Sequence, residues 1–131
     1  MTQAAEQAAQ APDTTASVHP LVESNRVEGT PVYDPHDKRI GTIHHLIIEK
    51  VSGRVVYAVM SFGGFLGIGE RYHPLPWSVL TYDPGQSGYV VPLAKERLQS
   101  GPAYNRDELT NDDNGWGQRV NDYYQVTPSW A

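Results

Sequence analysis

Residues Ile40 to Phe62 read as two long strands around a Ser52-Gly53 turn, and neither strand has a consistently polar face. Within Arg54 to Ser61, Val56, Ala58 and Met60 fall in one alternation class and Val55, Tyr57 and Val59 in the other. Ile43, Leu46, Ile47 and Ile48 serve both faces of Ile40 to Val51 in the same way. A strand with one solvated face alternates apolar with polar residues, so this hairpin needs cover on both sides. The cover is expected from the C-terminal segment or from a second subunit.

Further strand signals come at short intervals, separated by glycine, proline and aspartate. Val27 to Tyr33 reads as a strand or a pair of short ones, Arg71 to Pro76 as another, then Val79 to Tyr82 and Tyr89 to Val91. Asp34-Pro35-His36-Asp37 and Asp83 to Gly88 read as turns, where aspartate accepts local backbone bonds and proline presets φ. Leu93 to Leu98 suits one or two helical turns behind Pro92, and Gly101-Pro102 ends them. Short strands with few helices predict an all-β fold, a small barrel or sandwich with short C-terminal helical segments.

The tail supplies a candidate cover. Asn111 to Asn114 is polar enough to hold a helix N-cap. Trp116, Val120, Tyr123 and Tyr124 then share one face of a short helix, although Gly117 weakens it. At the other end, residues 1–20 are rich in Ala, Gln and Thr, and are expected to form a disordered tail. The expected organisation is therefore a tail over 1–20, one domain over 21–107, and a C-terminal tail with an aromatic helix over 108–131.

Several function classes lose support at this level. The chain of 131 residues has no cysteine, which removes disulfides, thiolate metal sites and a cysteine nucleophile. Its formal charge is -5 with no run of Lys or Arg, a poor match to nucleic acid. No apolar run approaches the roughly 20 residues that span a bilayer. The N-terminus lacks the charged and apolar regions of a secretory signal, so a cytoplasmic location is expected.

The loop Gly63-Gly64-Phe65-Leu66-Gly67-Ile68-Gly69 is glycine-rich, but Glu70-Arg71-Tyr72 leads from it into a strand rather than a helix. A phosphate-binding loop needs a helix N-terminus behind it. Phe65, Leu66 and Ile68 suit a contact surface instead, joined by Trp116, Tyr123 and Tyr124 of the tail. His44 and His45 are neighbours on a strand, so their side chains are expected on opposite faces, unable to share an ion. A small-ligand or metal-binding barrel using His44, His45 or His73 is the alternative reading. Asp34, Asp37 and Asp83 lie in turns, and no nucleophile triad or paired-carboxylate spacing joins them or Glu96. Trp77, which follows Pro76, reads as a core residue. The chain is thus expected to be non-catalytic, with no cofactor and no resident metal.

Five motifs recur together in one known family. They are Gly41-Thr42-Ile43, Ser52-Gly53, Val55-Val56-Tyr57-Ala58-Val59, the loop Phe62 to Gly69, and Leu75-Pro76-Trp77. Over about Val22 to Asp107 the chain resembles the PRC-barrel family, named after the cytoplasmic domain of the photosynthetic reaction-centre H subunit. It departs from relatives at His44-His45, where an acidic residue is common. The resemblance implies a six-stranded antiparallel β-barrel, in a stand-alone bacterial protein, that serves as a binding or assembly module without catalytic residues. The expected partner is another protein, a second copy of the chain, or both, with a homodimer as the simplest assembly.

Overall fold

The computed structural model describes residues 20–62, 71–110 and 115–127. The expectations for the N-terminal tail, for Phe65, Leu66 and Ile68, and for Asn111 to Asn114 fall outside the described residues. Helix α1 (Ser24–Val27) precedes strands β1 (Pro31–Tyr33), β2 (Arg39–Ile48), β3 (Val55–Ser61) and β4 (His73–Pro76). A 3-10 turn (Trp77–Val79) leads to β5 (Thr81–Asp83) and β6 (Gly88–Val90). Helices α2 (Lys95–Gln99), α3 (Arg106–Thr110) and α4 (Trp116–Tyr124) complete the described chain.

The six strands form one sheet in the order β4-β3-β2-β1-β6-β5. Its pairs are antiparallel except β1 with β6, which run parallel with Val32 opposite Tyr89. The expectation of a wholly antiparallel sheet is corrected at that pair. Each partner there has only three residues and the two lie far apart in sequence, so no local signal announces their direction.

Barrel closure is a second correction, because no hydrogen-bonded ladder joins β4 to β5 among the described residues. The sheet is nevertheless strongly curled. β4 and β5 sit at opposite edges, yet only Trp77 to Leu80 separates them in sequence. Five backbone steps reach at most about 17 Å. A flat six-stranded sheet would put its edges about 24 Å apart. The open edge at β4 has a covalent cause, since Pro74 and Pro76 have no N–H to offer a further strand.

Local chemistry explains most element ends. Asp34 Oδ1 accepts the backbone N–H groups of His36 and Lys38 at 2.8 and 2.9 Å, which makes the predicted turn. Gly53 has φ +78°, a left-handed conformation that closes the β2–β3 connection. That connection is wider than a two-residue turn, with Glu49 N–H donating to Arg54 O at 2.8 Å. Ser24–Val27 forms a helical turn rather than the start of a strand, and it buries Val27. Residues 77–79 likewise coil into the 3-10 turn rather than beginning a strand at Val79, because Pro76 ends the ladder just before them. The residue at the N-cap of α4 is Gly115, at φ +74°, and not one of the four polar residues before it.

Two apolar cores share the β2–β3 hairpin. The inner one lies within the curl and unites Val32, Ile43, Ala58, Met60 and Leu75 with Leu98 of α2. The outer one unites Tyr57 and Val59 with Tyr72, Tyr104, Leu109, Trp116 and Val120. The C-terminal helices therefore supply the cover that the hairpin requires. Tyr57 is the centre of this contact. Its ring meets Trp116 at 5.0 Å between centroids, and its hydroxyl lies 3.0 Å from Asn121 Oδ1 and 3.2 Å from Gly117 O.

If α4 is part of the folded core, Trp116→Ala, which truncates a side chain only 6% exposed, will destabilise the protein by about 3–5 kcal/mol. Chemical denaturation monitored by far-UV circular dichroism measures this. An unchanged midpoint would mean that α4 is a loose tail.

Candidate functional site

The outer face of the hairpin carries an unusual group of side chains because β2 does not keep strict alternation. Ile43 pairs with Met60 and His45 with Val59, which leaves His44 as an extra residue without a partner across the ladder. Such a bulge turns two successive side chains to the same side. Ile43 stays in the inner core, while His45 lies opposite Val59 of the outer core. A second irregularity between Ile47 and Ile48 skips Val56 in the same way and packs it on the outer core. Strict alternation places Val56 beside Ala58 and Met60, and the skipped residue is the reason it is not there.

The expectation that His44 and His45 face apart is overturned by the first bulge. Their Nδ1 atoms are 2.8 Å apart and their rings meet edge to face at 5.0 Å. Tyr72 packs against both, at 4.8 Å from His44 and 6.3 Å from His45. Tyr72 is itself held by a two-way backbone bridge to Tyr104, at 2.8 and 2.9 Å. Burial holds the imidazole of His45 below its ordinary pKa, helped by His44 and Arg106 and opposed by Glu28.

His73 does not join the pair. It lies on the inner side, with its ring edge-on to Phe62 at 4.7 Å. Its Nδ1 is buried without a hydrogen-bond partner among the described residues. Burial, with Arg71 nearby, pushes its pKa down to about 4, against a smaller opposing bond to the backbone of Leu98. Among the described residues no three His, Asp or Glu side chains converge as a metal-binding group.

The aromatic residues of the tail make contacts within the chain. Trp116 is buried against Tyr57, with Tyr104 at 6.3 Å. Tyr123 stacks under the Arg97 guanidinium at 4.2 Å and donates its hydroxyl to Arg97 O at 2.7 Å. Arg97 Nη2 returns a bond to Tyr123 O at 2.9 Å, so α2 and α4 are clamped together. Tyr124 packs against both cores, and burial raises the pKa of its hydroxyl.

A groove of 280 Å³ is lined by Arg54, Val56, Pro76, Trp77, Asn121 and Thr127. Asn121 Nδ2 is buried and has no hydrogen-bond partner among the described residues. Tyr57 has one hydroxyl proton for two acceptors, Gly117 O and Asn121 Oδ1. Burial pushes the pKa of that hydroxyl up to about 12. The sequence offers no warning of Asn121, which follows Val120 and lies off the apolar stripe of α4. Trp77 is half-buried in its 3-10 turn and meets Tyr89 at 5.5 Å, a place at the edge of the inner core rather than within it.

A family model described as PRC-barrel domain matches residues 20–98, more than half of the chain. A solved structure of a Pseudomonas aeruginosa protein assigned to 16S ribosomal RNA processing, RimM, is 21% identical over 61% of this chain and 48% of its own length, with a TM-score of 0.38. The matched part is about half of that protein. No curated protein matches the chain at the same level of significance.

The buried, neutral His73 makes stability depend on pH. Its folded pKa is near 4 and its unfolded value near 6.5, so below pH 6.5 protons bind the unfolded chain preferentially. Stability from this residue is intact above 6.5 and is lost as pH falls towards 4, by on the order of 2 kcal/mol. Urea unfolding across that range should show the loss, and His73→Gln should flatten it. Equal pH slopes for the two proteins would refute the assignment.

Proposed function

Because the chain belongs to the PRC-barrel domain family, we propose that it is a non-catalytic binding or assembly module. Its contact surface in this reading is the apolar loop carrying Phe65, Leu66 and Ile68, and its partner is another protein or a second copy of the chain. The observation that carries the proposal is the way apolar surface is used. The hairpin's outer face is already covered by Leu109, Trp116 and Val120, so association does not need that face. The loop between β3 and β4 puts three large apolar residues among four glycines, a composition suited to docking rather than to an idle connection.

Trp116, Tyr123 and Tyr124 belong to the same interaction surface in this reading. Within the chain, Trp116 packs on Tyr57 of β3 and Tyr123 ties α4 to Arg97 of α2. Residues 21–107 form the working domain, residues 108–131 its cover, and residues 1–20 a tail. Among the described residues no helix is long and apolar enough to cross a membrane.

The double variant Phe65→Asp/Leu66→Asp tests the proposal. Sedimentation velocity of the full chain should show an assembled species that the variant loses, while circular dichroism and melting temperature stay as in the parent. Identical sedimentation of parent and variant would sink the loop as a contact surface.

A further inference from the structure

The bulge in β2 gathers what the sequence spacing keeps apart, two imidazoles on one side of one strand with Nδ1 atoms 2.8 Å apart. A hydrogen bond between them needs one Nδ1 as a bare acceptor and the other as a donor. Moving that hydrogen to Nε2 leaves two nitrogen lone pairs side by side, the form in which imidazole binds metals. The separation discriminates between ions. Two donors about 2.0 Å from an ion stand about 2.8 Å apart when they subtend a right angle, and about 3.3 Å apart when the site is tetrahedral. The Nδ1 separation equals the span of cis positions on a square-planar ion, which the rings reach by turning out of their mutual hydrogen bond, whereas tetrahedral zinc also needs them about 0.5 Å further apart.

We infer that His44 and His45 form a bidentate imidazole site for a square-planar divalent transition metal, Cu(II) first and Ni(II) second. The remaining positions are open to water or a small exogenous ligand, since no third His, Asp or Glu of the described residues converges there. Three further observations support the site. Both histidines are partly exposed, so an ion reaches them from solvent. Tyr72 packs on both rings and is anchored to Tyr104, which limits their freedom before any ion arrives. The chain's net charge of -5 favours a cation. The ion preference follows the general affinity order, in which copper leads nickel and zinc for nitrogen sites.

The test is a titration of the full-length chain with Cu(II), Ni(II) or Zn(II) chloride at neutral pH. Calorimetry measures affinity, and electron paramagnetic resonance reads the copper environment. The expected result is a single Cu(II) per chain, with hyperfine structure from two equatorial nitrogens. Either His44→Ala or His45→Ala should weaken copper binding about tenfold or more, and Zn(II) should bind less tightly than Cu(II). A background of His19→Gln and His36→Gln should retain the parent affinity, because neither residue belongs to the pair. His44 is unpaired in the ladder, so His44→Gln reports on the site should His45→Ala fail to fold. Copper binding that survives both His44→Ala and His45→Ala, or zinc binding that exceeds copper binding, would overturn the assignment.

Discussion

One strand with no solvent face organises this protein. β3 sends Ala58 and Met60 into the inner core and Tyr57 and Val59 into the outer one. Burying an apolar strand on both sides is favourable only if something covers each side. The curled sheet with Leu98 of α2 meets one half of that demand, and helices α3 and α4 meet the other. Tyr57 joins the two demands, because its ring fills the outer core and its hydroxyl ties to the backbone and side chain of α4. The terminal helix is thus part of the fold of the sheet.

The same strand pair explains the site. A two-core hairpin has to fit a curved inner surface and a helical outer one. Its ladder slips at His44 and again at Val56, and both extra residues fall on the outer side. Bulges bend and twist a strand, so they serve curvature and chemistry together. The inner histidine has the opposite character. His73 is buried and neutral, which makes it an acid-sensitive element of the core. The outer pair is partly exposed and rests on a tyrosine anchored by Tyr104.

Much of the architecture was legible from residues alone. The six strands, the Asp34 turn, the need for two-sided cover and the helical face of Trp116 and Val120 all follow from local chemistry and periodicity. Sheet order, the parallel β1–β6 pair and the open seam at β4 were not legible. They depend on which distant strands meet, and three-residue strands carry no register signal. The bulges were invisible for a related reason. Strict alternation assumes an unbroken ladder, and whether a residue is skipped depends on the opposing strand. That single assumption misplaced both His44–His45 and Val56.

What the sequence by itself determined is the inventory of surfaces: a hairpin that cannot be left half in water, an apolar glycine-rich loop, and an aromatic helix available as cover. Those are consequences of residue type and spacing, and they hold in any arrangement the chain adopts. Only the tertiary structure decided which surfaces were used against each other. It assigned α4 to the hairpin, left Asn121 Nδ2 without a partner among the described residues beside a groove, separated His73 from His44 and His45, and brought those two together. Each outcome turns on packing between segments far apart in the chain, where the fit of side chains in three dimensions overrides the period of any one strand.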